Sequence, residues 1–146
     1  MTRFQFRLQK VMEWREKELE LENARLKERS AEVANLDRAQ ADLKSAEIDA
    51  ENELRRGTAI SGQELAALAG YRRWVRLRAR QLAAERSEAL HRLQAQEQIM
   101  LEARRRCRLL ERLRERRLTE WKAAENQQME EVAAESFLAR WPRDGA

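Results

Sequence analysis

The sequence predicts an all-α fold, a long antiparallel two-helix coiled-coil hairpin with a C-terminal helical overhang. Strong helix breakers occur in two places only, with glycines at Gly57, Gly62 and Gly70 and the pair Pro142 and Gly145 near the C-terminus. Glycine and proline destabilise a helix interior, so the stretches between these places are expected to be helical. Ala, Glu, Lys, Leu and Arg make up 94 of the 146 residues, a composition typical of coiled coils.

The elements follow from the breakers in chain order. Residues 4–56 contain no glycine or proline, which predicts the first helix. Residues 57–63 are expected to form the tip, because Gly57 follows the first helix and Ser61 can cap the next one together with Glu64. The second helix is expected over about 64–140. A short link makes two such helices antiparallel neighbours, so residues 1–146 are expected to form one hairpin.

Both helices carry seam positions at the seven-residue spacing of a coiled coil. On the first helix they recur every seven residues from Leu8 and from Met12; on the second they recur from Leu65 and from Leu68. Matching residue types pairs Leu36 with Leu82 and sets Glu47 opposite Arg72. A slip of three residues is the alternative, but it would set Leu36 against Arg86, so the type-matched pairing is preferred.

The second helix is longer than the first, and residues 118–141 are expected to extend past the N-terminus or to fold back. Its apolar positions would then have no partner inside the hairpin and need one elsewhere. These positions are Leu118, Trp121, Val132, Phe137 and Leu138.

The residue types that carry catalysis and metal binding are scarce. His91 is the single histidine, no glycine-rich phosphate loop occurs, and no Cys and His cluster has metal-ligand spacing. Cys107 falls on a seam position and is expected to be a buried, small apolar residue. The sequence therefore predicts no catalytic, cofactor or metal residues and a protein that is not an enzyme. No apolar run reaches the length of a membrane span, so we expect a cytoplasmic protein without direct membrane insertion.

Basic charge is concentrated on the second helix, where residues 72–117 contain 15 Arg and Lys against 6 Asp and Glu. The arginines from Arg104 to Arg117 are suited to a phosphate backbone or an acidic protein surface. Part of their charge is expected to face Glu13, Glu16 and Glu20 across the hairpin. No aromatic rings alternate with these arginines as stacking platforms, so no nucleic-acid partner is expected.

Aromatic residues fall into two groups that are separated by ring-free stretches. The group at the open end consists of Phe4, Phe6, Trp14, Trp121, Phe137 and Trp141, and the group beyond the tip consists of Tyr71 and Trp74. Trp14 and Trp74 lie two residues past a seam position, which points them outward. Exposed tryptophan is favoured as an interface anchor, and this interpretation is preferred for Trp74. For Phe4 and Trp121 the alternative is that the terminal rings pack on each other, as in a hydrophobic staple at a helix end.

The N-terminal sequence Phe-Gln-Phe-Arg-Leu-Gln-Lys-Val at 4–11, followed by Trp-Arg-Glu at 14–16, resembles the start of the FliJ family of flagellar export proteins. The segment Leu-Glu-Arg-Leu-Arg-Glu-Arg-Arg at 110–117, with Trp121 and the acidic residues of 130–135, is similar to that family's terminal helix. The acidic segment ends in Glu135-Ser136 and not in the Asp-Glu that the family often shows.

This resemblance implies an antiparallel two-helix stalk that inserts into the hexameric export ATPase, promotes its assembly and activity, and connects it to the export gate. The implied partners are that ATPase, the cytoplasmic domain of the export-gate membrane protein and export chaperones, at the inner membrane of the flagellar base. The implied ATPase contacts are Phe4, Phe6, Leu8, Val11, Leu110, Leu113, Arg114 and Arg117. Tyr71 and Trp74 are implied to contact the gate.

Three other functions fit the same residues. An injectisome, the virulence type III secretion system, uses an equivalent stalk that this sequence does not distinguish from the flagellar one. A general coiled-coil scaffold and a basic nucleic-acid binder are the alternatives from other classes.

Overall fold

A computed structural model describes residues 2–57 and 59–141 of this chain, and Pro142 and Gly145 lie outside them. The described residues form two long helices, α1 at Gln9–Arg56 and α2 at Gly62–Arg140, and contain no strand. The two helices pack against each other, which confirms the predicted all-α two-helix hairpin. The chain divides into two units: one contains the described residues up to Leu19 and from Glu102 onward, and the other contains Glu20–Leu101.

The helix limits at the tip follow from local hydrogen bonds. The Ser61 hydroxyl accepts a hydrogen bond from the Glu64 amide at 3.2 Å, and the Glu64 carboxylate accepts one from the Ser61 amide at 3.3 Å. This reciprocal pair is a capping box, and it satisfies two main-chain donors at the start of α2. The helix therefore begins at Gly62, slightly earlier than expected. No described glycine has a positive φ, so Gly57 ends α1 without a left-handed conformation.

The N-terminal limit of α1 differs from the prediction. Residues 2–6 are not helical, a turn follows at Arg7 and Leu8, and the helix begins at Gln9 and not at Phe4. The Gln9 amide donates to the Phe6 carbonyl at 3.1 Å, which closes this turn. No acidic residue lies in the first turn of α1, so nothing there extends the helix towards the N-terminus.

The buried side chains lie on the predicted seam positions. In the terminal unit these are Met12, Ala103 and Cys107; in the other unit they are Glu22, Val33, Val75, Leu82, Ala89, Gln96 and Met100. The heptad spacing thus selected the buried face of both helices. Two of these buried residues, Glu22 and Gln96, are polar.

One predicted pair is wrong by a helical turn. Arg72 lies 2.8 Å from the carboxylate of Glu51 and not against Glu47. Side chains on a helix lean towards its N-terminus, and in an antiparallel pair this direction carries the Arg72 guanidinium towards the tip. The carboxylate one turn nearer to the tip is therefore the one within reach.

Candidate functional site

The N-terminal segment and α2 form one surface in the terminal unit. The ring centroids of Phe4 and Trp121 lie 5.9 Å apart at an interplanar angle of 54°. The Thr2 hydroxyl donates to the Glu125 carboxylate at 2.9 Å, and the Arg114 guanidinium carbon lies 5.9 Å from the Phe4 ring centroid. Aromatic packing and a cation–π contact therefore hold the segment on α2.

This contact corrects the expectation for the overhang. Trp121 and Leu118 are half-buried, although both were expected to lack a partner within the hairpin. An extended segment advances about 3.3 Å per residue against 1.5 Å in a helix, so a non-helical N-terminus reaches further along α2. The exposed apolar side chains of the overhang are Met129, Val132, Phe137, Leu138 and Trp141.

We use the name terminal surface for the eight residues that the FliJ resemblance implies as ATPase contacts. They are Phe4, Phe6, Leu8, Val11, Leu110, Leu113, Arg114 and Arg117. Phe4, Phe6, Leu110, Leu113 and Arg114 are half-buried, whereas Leu8, Val11 and Arg117 are exposed. One groove is lined by Phe4, Phe6, Leu8, Leu113 and Arg117 together with Trp121, and a second groove is lined by Phe4, Phe6 and Arg114. The structure thus brings six of the eight residues together around these grooves. Val11 and Leu110 line neither groove.

Arg114 has an incomplete set of hydrogen bonds. Within the described part of the chain, its Nε atom is buried and has no hydrogen-bond partner. A buried donor without a partner is unfavourable, so an acceptor that reached this atom would be bound favourably. Arg117 differs, because its guanidinium pairs with Glu120 at 3.2 Å.

The second site is the tip surface, Tyr71 and Trp74. Their rings stack with centroids 5.9 Å apart at an angle of 24°, and the Trp74 side chain is 53% exposed. Tyr71 also lines a groove with Leu54 and Leu68. The predicted outward direction of Trp74 is confirmed, and so is that of Trp14, which is 57% exposed.

Few arginines of the basic stretch of α2 form ion pairs with the described residues. Arg106 lies 3.6 Å from Glu18 and 3.4 Å from Glu102, so the cross-helix carboxylate is Glu18 and not one of the three glutamates expected to face the arginines. Among residues 2–57 and 59–141, the following arginines of the stretch form no ion pair: Arg104, Arg105, Arg108, Arg112, Arg114 and Arg116. This leaves a positively charged face on α2.

Cys107 has the buried position that its seam phase predicts. It is 2% exposed, and its Sγ donates to the Arg15 carbonyl at 3.0 Å. Burial raises the pKa of the Cys107 thiol, the nearby carboxylates of Glu111, Glu16 and Glu18 raise it further, and Arg15 opposes them. A thiol with a raised pKa forms less thiolate, so it is a poor nucleophile.

Two long-range contacts of these sites were predicted only in part. Packing of Phe4 on Trp121 was one of two interpretations of the terminal rings, but the non-helical segment that brings Phe4 to Trp121 was not predicted. The type-matched pairing sets Glu22 opposite Gln96, but the hydrogen bonds between their side chains were not predicted.

The described residues contain no group of three or more His, Cys, Asp or Glu side chains arranged to hold a metal ion. None of the described helices is both long and apolar enough to cross a membrane. Comparison of the chain with protein-family models, with curated proteins and with solved structures found no match.

Proposed function

We propose that this chain is a non-enzymatic stalk component of the flagellar type III protein export apparatus. It inserts its terminal surface into the ring of the hexameric export ATPase and promotes the assembly and activity of that ring. It connects the ring to the cytoplasmic domain of the export-gate protein and to export chaperones. It acts in the cytoplasm, associated peripherally with the inner membrane at the flagellar base.

One observation carries this proposal: the two sequence segments that resemble the FliJ family lie together around one groove. Phe4 and Phe6 belong to the N-terminal segment, and Leu113 and Arg117 belong to the terminal helix; all four line one groove. The groove combines apolar side chains with an arginine, and aromatic and arginine residues are enriched in the energetic centres of interfaces. Arg114 lines the second groove, which shares Phe4 and Phe6 with the first.

The tip surface supports the second contact of the stalk. An indole that is 53% exposed and stacked on a tyrosine offers a large, rigid apolar area to a partner. Such a side chain loses little conformational entropy on binding, because the stack already restricts it.

Stimulation of the cognate export ATPase by the purified full-length chain tests this proposal. We expect faster ATP hydrolysis and more hexamer with the wild type, and loss of both with the double variant Phe6→Ala and Arg117→Ala. Leu109→Ala is the matched control, because Leu109 is 57% exposed in the same unit but lies outside the terminal surface. An ATPase that does not respond to the wild-type chain would exclude the stalk function.

The identity of the responding ATPase also separates the flagellar stalk from its injectisome equivalent. In either system the terminal surface would bind the ATPase ring, so each ATPase is tested with the same variants. A response to the injectisome enzyme alone would assign the chain to that system. A response to neither would leave a general coiled-coil scaffold.

A nucleic-acid binder is the second candidate, and the six arginines that form no ion pair within residues 2–57 and 59–141 favour it. Binding to a phosphate backbone releases counterions, so the affinity would fall steeply with salt concentration. We expect no such binding to a labelled duplex or single strand. Salt-dependent binding that is lost when Arg104, Arg105 and Arg108 are replaced by alanine would support the nucleic-acid function instead.

A further inference from the structure

The seam of the Glu20–Leu101 unit contains a buried polar pair. Glu22 is 7% exposed and Gln96 is 8% exposed, whereas seam residues such as Val33, Leu82 and Ala89 are apolar. The Gln96 side-chain amide donates to the Glu22 carboxylate and also to the Glu22 main-chain carbonyl, the latter at 3.2 Å. The pair therefore joins α1 to α2 through two hydrogen bonds from one amide group.

A third residue completes the hydrogen bonding of the carboxylate. Arg25, one turn along α1, donates to the Glu22 carboxylate at 2.8 Å, and its own side chain remains half exposed. A buried carboxylate is unfavourable unless it is paired and hydrogen-bonded, and here it has both kinds of partner. Apolar residues of similar size at the two positions would nevertheless give a stable seam at least as readily.

We infer that the pair of Glu22 and Gln96 sets the axial register of the two helices. The heptad pattern allows a second alignment, in which Gln96 lies opposite Leu26. There the buried amide would face a leucine and lose its carboxylate partner, and the carboxylate would lose the amide. A single buried polar residue in a coiled coil specifies register in this way, at a cost in stability.

The inference depends on the packing of the seam and is independent of the proposed function. Apolar residues fit both alignments, because leucine packs acceptably against leucine, valine or alanine. The two hydrogen bonds form in one alignment only. The slip would also set Leu36 against Arg86 and displace the partly exposed ion pairs of Arg86 with Asp37 and of Arg72 with Glu51. Exposed ion pairs contribute little to stability, so most of the discrimination between the alignments is expected to come from the buried pair.

Distance measurement between two spin labels tests the inference. The labels are placed at Ser45→Cys and Gln94→Cys, both exposed positions of this unit, in a Cys107→Ala background. In the otherwise unchanged chain we expect a single distance population. With Glu22→Leu and Gln96→Leu we expect a second population displaced by about 5 to 6 Å, the axial rise of the three to four residues that separate the two alignments.

Two further variants keep the result unambiguous. Glu22→Gln retains hydrogen bonding to Gln96 and should preserve the single population. Glu28→Leu with Gln98→Leu changes two exposed positions by the same substitutions and should leave the distances unaltered. Circular dichroism is used to check that each variant remains helical. A single, undisplaced population in the variant with leucine at 22 and 96 would show that apolar packing or the tip sets the register, and it would overturn the inference.

Discussion

The ring of Phe4 packs against the indole of Trp121 with centroids 5.9 Å apart. This contact joins the non-helical N-terminal segment to α2 and forms one wall of the terminal surface. Aromatic pairs contribute about 0.5–1.5 kcal/mol beyond the burial of their area. The pair therefore contributes substantially to holding the segment in place.

Phe4→Ala is expected to release the N-terminal segment from α2. Loss of the aromatic pair should make trypsin cleavage after Arg3 and Arg7 several-fold faster, since about 1.4 kcal/mol corresponds to a factor of 10 in an equilibrium constant. Limited proteolysis followed by mass spectrometry measures this. Thr2→Val removes only the exposed hydrogen bond to Glu125 and should have a much smaller effect. Equal rates for Phe4→Ala and the wild type would mean that the aromatic contact does not hold the segment.

Trp74→Ala is expected to weaken binding to the export-gate domain much more than it lowers the stability of the chain. Because the indole is 53% exposed and its main contact is the stack on Tyr71, the free energy of unfolding should fall by only about 0.5–1.5 kcal/mol. Under the proposed function, the variant should lose affinity for the export-gate domain and reduce motility. Leu101→Ala, which removes a leucine that is 48% exposed elsewhere on α2, is the control and should retain both. Normal gate binding by Trp74→Ala would show that the tip surface does not contact the export gate.

Ser61→Ala is expected to weaken the start of α2. The substitution removes the side-chain acceptor for the Glu64 amide, and loss of such a cap costs about 0.5–2 kcal/mol. Chemical denaturation followed by circular dichroism provides the free energy of unfolding. Ser61→Asp keeps an acceptor at the same position and should recover most of the stability. If both variants are equally destabilised, the capping box is not the cause.

Gly70→Ala is expected to stabilise the chain by about 1 kcal/mol, because alanine is the better helix former. Among the described residues, an added Cβ at Gly70 meets nothing within 4 Å, so no steric cost opposes this gain. Gly57→Ala is the comparison, since Gly57 lies outside both helices and the helix-propensity gain does not apply there. Thermal unfolding of the two variants measures the difference. A destabilised Gly70→Ala would show that α2 requires the flexibility of glycine at this point.

The Cys107 thiol is expected to make stability depend on pH in the alkaline range. Burial and nearby carboxylates raise the pKa of this thiol in the folded chain. Its contribution to stability is complete below the unfolded pKa, about 8.5, and is lost as pH rises through the higher folded value. Cys107→Ala should remove this part of the alkaline decline. Denaturation curves of both proteins between neutral and alkaline pH measure it, and parallel pH profiles would contradict the expectation.

Reactivity provides a second measurement on the same thiol. A buried thiol with a raised pKa should react with iodoacetamide far more slowly in the folded chain than in denaturant. Rapid alkylation of the native protein would show that the seam around Cys107 opens readily.

Local sequence was sufficient for the helices and for their buried faces. Arg56 ends α1 immediately before Gly57, and Ser61 with Glu64 begins α2, because main-chain preference and capping act over a few residues. The buried Val33 and Leu82 lie on the predicted heptad positions, because a seven-residue spacing places side chains on one face of a helix.

The residues of the terminal surface were less predictable than the helices. Their assignment came from resemblance, and the structure shows which of them meet around the grooves. The predicted N-terminal limit of α1 was wrong, because the Phe-x-Phe segment is not helical and Phe4 packs on Trp121 of α2. The ion pair between Arg72 and Glu51 was also not predicted, because heptad spacing does not indicate the direction in which a side chain extends along the helix.

The sequence by itself thus determined that the chain forms two helices, where one turn separates them and which face of each is buried. These properties depend on glycine placement, capping and periodicity, all of which act within a few residues. Only the tertiary structure decided that Phe4 lies on Trp121 and that Gln96 binds Glu22. Each of these contacts joins positions distant in the chain, and the free energy of packing and hydrogen bonding between α2 and the N-terminal part of the chain selects them.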